Sequence, residues 1–310
     1  MQNEHASEQR ALTISMIGTL LMGLAGIGAA ILSNSQAILL DGLFSFVGFA
    51  AALFARRVIG RVQKAPDQIR PFGYGSEESI FTTFRALSLL GVVLFAIINA
   101  LRSIGSYANG QLPPPLLFEP IAVYLAAILM TCLVLWLFHQ RAWRKGGKRS
   151  DILKLEANAA AFDGAVTAAA GVGLFLVASI DDGPLAVVAP IGDSLIVLVL
   201  CSMAAIRYFA DFRAGLAELA GVAAPKASYE MVLGVVNEPI ASFGGKLVEL
   251  LIVKAGRSHS IVVLFDPQRP VSAIEVDTLS DELEQSLRQK LKHANILTVV
   301  TSSSGDSETH

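Results

Sequence analysis

Three carboxylates stand inside long apolar runs of this 310-residue chain: Asp41, Asp163 and Asp193. An ionised side chain at the centre of a bilayer costs about 2.5–3.5 kcal/mol on insertion scales, so each is a candidate for chemistry by default. Ser45 follows Asp41 by four residues, and Thr167 follows Asp163 by four. On a helix that spacing puts each hydroxyl on the face of its acid. Carboxylate and hydroxyl oxygens are hard donors, suited to Mg2+, Mn2+ or a monovalent ion, and a carboxylate can also carry a proton. Zinc asks for nitrogen and sulfur in a tetrahedron, and these residues do not offer that set. Plainer roles stay open: Asp41 and Asp193 near an outer interface within reach of water, Asp163 hydrogen-bonded to a neighbouring helix through Asn99 or Ser45.

These acids make sense only with lipid around them. The chain is 53% hydrophobic and 16% charged, with mean hydropathy +0.57, against about 25% charged residues in soluble domains. A membrane span needs about 20 mostly apolar residues. Six stretches qualify, 11–31, 36–55, 81–104, 117–138, 157–177 and 185–209, and they predict an α-helical integral membrane protein with a six-helix bundle. The fifth is rich in small residues (Ala157, Ala159, Ala160, Ala161, Ala168, Ala169, Ala170, Gly171, Gly173). Small side chains let helices approach closely in lipid, so this span is expected inside the bundle, with Asp163 against protein.

Charge sets the orientation. Arg56, Arg57, Arg61, Lys64 and Arg70 follow the second span; Arg141, Arg144, Lys145, Lys148, Arg149 and Lys154 follow the fourth. The opposite loops at 33–35, 105–115 and 179–184 are nearly free of basic residues. The positive-inside rule then places both termini in the cytoplasm. Residues 1–10, with Glu4 and Glu8 and no cleavage pattern, read as a retained cytosolic arm, not a signal peptide. Cys132 and Cys201 both lie in apolar runs, so neither a disulfide framework nor a zinc ribbon is expected. A net charge of -2 gives no reason to expect a nucleic-acid partner. With no nucleophile–base arrangement in view, an enzyme is not expected either.

The domain plan is 1–10 arm, 11–210 transmembrane domain, 211–225 linker, 226–301 cytoplasmic domain and 302–310 disordered tail. Within 226–301, a helix is expected near 228–237. Residues 246–254, the turn Ala255, Gly256 and Arg257, and residues 260–265 read as a hairpin. Val276, Leu279, Leu283, Leu287 and Leu291 recur at helical spacing, and 296–301 is a last strand. The order is α-β-β-α-β, a small α+β domain.

With these elements in place the chain resembles the cation diffusion facilitators, a family of cation efflux transporters. The resemblance rests on Ser35-Gln36-Ala37-Ile38-Leu39-Leu40-Asp41-Gly42, on Arg70-Pro71-Phe72-Gly73-Tyr74-Gly75-Ser76-Glu77-Glu78, on Glu156, Asp163 and Thr167, and on Pro190-Ile191-Gly192-Asp193. It covers nearly the whole chain and implies a homodimer of the inner membrane that exports divalent cations in exchange for protons, with no bound cofactor. It also implies a tetrahedral metal site, whose positions fall on Phe44, Gly48, Ala159 and Asp163, so one ligand of four survives. The family's loop site falls on Asp67, Arg70 and Tyr74, and its Lys/Asp charge interlock on Ser76 and Gly221. The cytoplasmic histidines are also missing, since His259 and His293 stand apart.

Two readings remain. In the first, transport persists and the site moves one helical turn outward, about 4.5 Å at 1.5 Å per residue. Asp41, Ser45, Asp163 and Thr167 then form an oxygen site for a non-zinc cation and protons, with Asp41 and Asp163 as the metal-binding carboxylates. In the second, the chain is a non-transporting partner or regulatory subunit that keeps the fold.

Overall fold

The computed structural model describes residues 2–62, 67–70, 73–145, 151–179, 187–256, 258–291 and 294–302. The side chain of Ala159, Arg257, His293, the aspartates of the loop before residue 187 and the tail from 303 lie outside the described residues.

Six long helices come first: α1 (Gln2–Ser33), α2 (Gln36–Val62), α3 (Gly75–Ala108), α4 (Phe118–Lys145), α5 (Asp151–Ala178) and α6 (Gly192–Leu219). α1 begins at Gln2, inside the segment read as an arm, and α6 runs to Leu219, inside the segment read as a linker. Among the described residues, five of the six are long and apolar enough to cross a membrane: Thr13–Ser33, Gln36–Val58, Gly75–Ala108, Phe118–Arg144 and Ala189–Leu219. In α5 the apolar part is shorter, Asp163–Val177. Asp151, Lys154 and Glu156 precede the expected fifth span of 157–177, and its shorter apolar part is that of the described residues alone.

The chain divides into two compact units, one of Met1–Ala55 with Arg85–Ala210, the other of Arg56–Phe84 with Asp211–His310. The first unit is a helix bundle. Met22, Leu40, Val93, Ile128, Leu174 and Val197, one from each long helix, share its core. Outward positions such as Ile17, Leu94, Val134 and Met203 are exposed and apolar, as expected of helices solvated by lipid.

The second unit holds α7 (Lys226–Ser242), β1 (Lys246–Ala255), β2 (Ser258–Asp266), α8 (Ala273–Lys290) and β3 (Ala294–Val300). The predicted α-β-β-α-β order is present. β1 and β2 pair antiparallel, and β3 pairs with β2 in parallel, giving the sheet order β1-β2-β3. Leu250, Ile252, Ile261, Val263 and Phe265 alternate onto one buried face. Val232, Val236 and Ile240 of α7 and Leu279, Leu283 and Leu287 of α8 cover it. The helical stripe read at α8 therefore faces the core, with Val276 half-buried and Leu291 as the C-cap. Ser272 starts α8 with a capping box, its hydroxyl accepting from Glu275 N while Glu275 accepts from Ser272 N.

Candidate functional site

Three helices of the first unit meet at Asp41. The Tyr124 hydroxyl on α4 donates to Asp41 Oδ2 at 2.7 Å. The Thr167 hydroxyl on α5 donates to Oδ2 at 3.2 Å and to Oδ1 at 3.5 Å. Asp41 is half-buried, while Tyr124 and Thr167 are buried. The position of α2 rests on two glycines. A Cβ on Gly26 of α1 would lie 2.6 Å from Gly42 Cα and 2.9 Å from the Tyr124 hydroxyl. Backbone therefore meets backbone beside Asp41, and the phenol fills the remaining room.

The other expected site residues have different surroundings. Asp163 is one turn before Thr167 on α5, on the arc that carries buried Ala160, Thr167 and Ala170. It was expected against protein, yet it is exposed, so the packed arc of α5 is interrupted at this turn. Cys132 lies within electrostatic reach of both Asp41 and Asp163, with its Sγ 3.8 Å from Met22 Sδ. Ser45 is half-buried on α2, and among the described residues no hydrogen bond ties it to Asp41.

Asp193 neither snorkels nor joins this group. It is 6% exposed and caps α2, accepting from Ser35 Oγ at 2.8 Å, Gln36 N at 2.6 Å and Ala37 N at 3.2 Å. The unpaired N–H groups of a helix start draw such a carboxylate.

In the second unit, the positions corresponding to the family's loop site bind each other. Asp67 accepts from Ile69 N at 2.9 Å, Arg70 N at 2.8 Å and the Tyr74 hydroxyl at 2.6 Å. The hydrogen bond to Asp67 holds the Tyr74 phenol above its usual ionisation range. Arg70 pairs with Glu77 at 3.4 Å and lies over the Tyr74 ring. A charge pair absent at Ser76 and Gly221 stands elsewhere: Glu218 accepts from Lys254 Nζ at 2.7 Å, Ser79 Oγ at 2.7 Å and Gly256 N at 2.9 Å.

Sequence reasoning missed Tyr124. The available signal was a phenol in an apolar run, because a buried Tyr hydroxyl needs a partner. Among the described residues no three His, Cys, Asp or Glu side chains gather to hold a metal. What the Asp41 group offers is one carboxylate held by two neutral hydroxyls. That set can take up a proton, or a hard cation that keeps part of its water shell.

Residues 12–220 match the family described as the cation efflux transmembrane domain. Over 102 residues the chain is 30% identical to the manganese efflux system protein MneP of Bacillus subtilis (strain 168), a match that covers 33% of this chain and 34% of that protein.

Proposed function

The chain belongs to the cation efflux family, the cation diffusion facilitators, and from that premise we propose that it moves a hard cation out of the cell in exchange for protons. It is a multi-pass membrane protein of a transporter family. In this reading it lies in the inner membrane with both termini in the cytoplasm and works as a homodimer. The observation that carries the proposal is the contact of half-buried Asp41 with buried Thr167 and Tyr124, an acid supported by hydroxyls from two other helices. Exposed Asp163, one turn from Thr167, is the accessible end of the route, and Asp41 is its interior station. Ser45, one turn further along α2, lies on the same side of Asp41 as Asp163, because α2 and α5 run in opposite directions, and adds an oxygen there.

The oxygen donors favour Mn2+ or Mg2+ over zinc. The name of the Bacillus relative, a manganese efflux protein, makes Mn2+ the first cation to test. The experiment is flux in reconstituted vesicles, with Mn2+, Mg2+ and Na+ offered in turn and internal pH recorded. We expect Mn2+ movement coupled to opposite proton movement, lost in Asp41→Asn and strongly reduced in Asp163→Asn. Wild-type vesicles that move none of these ions would favour the non-transporting partner.

A further inference from the structure

The Asp41 group leaves the one buried imidazole of α4 unused. His139 is 0% exposed, and its Nε2 lies 2.9 Å from Ser15 Oγ on α1. Imidazole is the side chain that ordinarily changes charge between about pH 5 and 8. Inside a membrane bundle, an ionisable group with a polar partner is a functional candidate.

α4 places His139 on the seam of the Asp41 site. Tyr124, Ile128, Cys132, Leu135 and His139 form one buried stripe of the helix. Tyr124 holds Asp41 at one end, and His139 stands about 22 Å away at 1.5 Å per residue. Cys132, between them, is the residue in reach of both Asp41 and Asp163.

Among the described residues, the helices packed most closely on α4 are α1 and α5. α1 has no ionisable residue from 11 to 33, and Glu4, His5, Glu8 and Arg10 lie in its first nine residues, before Ser15. On α5, Gly171 packs on Leu125 and Gly164 on Cys132. The same step along both helices brings buried Ala157 opposite His139. The ionisable residues of that half of α5 are Asp151, Lys154, Glu156 and Asp163, and α4 itself carries Arg141, Arg144 and Lys145 just beyond the ring. The Phe138 ring lies edge-on to the imidazole, 5.4 Å between centroids.

We propose that His139, hydrogen-bonded to Ser15, is a second proton-binding site of the transporter, near the cytoplasmic end of α4. A proton moving inward binds the imidazole and leaves to cytosolic water, with only an N–H bond formed and broken. The Ser15 hydroxyl accepts from the ring when it is cationic and donates to it when neutral. This inference rests on the exchange reading above.

The test uses full-length protein in vesicles, with Mn2+ flux and internal pH followed from about pH 5 to 8. Wild type should show an inflection, with the proton-driven rate changing about tenfold per pH unit on its steep side. His139→Gln, which keeps a hydrogen-bonding amide for Ser15, should flatten that profile and lower kcat, while KM for Mn2+ stays within about two-fold, well under the tenfold that corresponds to 1.4 kcal/mol. A His139→Gln profile that matches wild type overturns the proposal and leaves the exchange reading standing. Asp41→Asn with wild-type flux overturns the exchange reading instead. NMR of carbon-13-labelled histidine, comparing wild type with His139→Gln, gives an answer without any flux. A resonance assigned to His139 that titrates in this range supports the site, and one that does not titrate overturns it.

Discussion

At the scale of the residue, one acid in this bundle has a chemical environment and another has a structural task. Asp41 and Asp193 look alike in sequence, each in an apolar run. Asp193 spends its oxygens on the first N–H groups of α2 and on Ser35, which anchors a helix end. Asp41 is held by side-chain hydroxyls alone among its described hydrogen bonds, and those oxygens can join the carboxylate around an arriving ion. A hydrogen bond to a charged group is worth about 1.5–3 kcal/mol. Tyr124→Phe should therefore raise the KM for Mn2+ about tenfold or more, since 1.4 kcal/mol is a factor of ten. Thr167→Ala, at the longer contact, should do less. Titrating uptake against Mn2+ concentration checks both, and a Tyr124→Phe curve that overlays wild type would remove Tyr124 from the site.

At the scale of the element, two contacts can be tested for stability without any transport assay. Gly26 has no room for a side chain between Gly42 and Tyr124, whereas nothing lies within 4 Å of a Cβ built on Gly28. Overpacking costs about 1–3 kcal/mol, so Gly26→Ala should lower the thermal midpoint in detergent while Gly28→Ala leaves it in place. In α8, Ser272→Ala should cost about 1 kcal/mol through the lost cap, read as faster hydrogen exchange across 273–290. The same cap predicts a pH dependence. Hydrogen bonds from Ser272 N, Arg269 and the Ser272 hydroxyl lower the Glu275 carboxyl from 4.5 to about 2. A depressed acid stabilises the folded form above its ordinary value and loses that contribution as pH falls through the folded value. Protection of the α8 amides, taken relative to their intrinsic exchange at each pH, should thus fall between pH 4.5 and about 2, and Glu275→Gln should remove that change.

At the scale of the whole molecule, the basic residues after the second and fourth spans predict that a reporter fused after Thr301 reports the cytoplasm. A periplasmic signal would invert the reading. Native mass measurement in lipid should find two copies together if the homodimer proposal holds. The sequence by itself determined a good deal here. Apolar runs of span length, the clustering of Lys and Arg, the hairpin of β1 and β2 and the leucine stripe of α8 all follow from neighbours a few residues apart, and that is information a linear reading holds. Partners across the bundle were a different matter. Tyr124 reaches Asp41 across 83 residues of chain, Thr167 across 126, and Ser35 reaches Asp193 across 158. The choice of partner depends on how each helix is rotated and how closely it approaches, which the packing of small residues such as Gly26 and Gly42 sets for all six helices together. Only the tertiary structure could decide that Asp41 meets two hydroxyls, that Asp193 closes a helix and that Asp163 stands exposed.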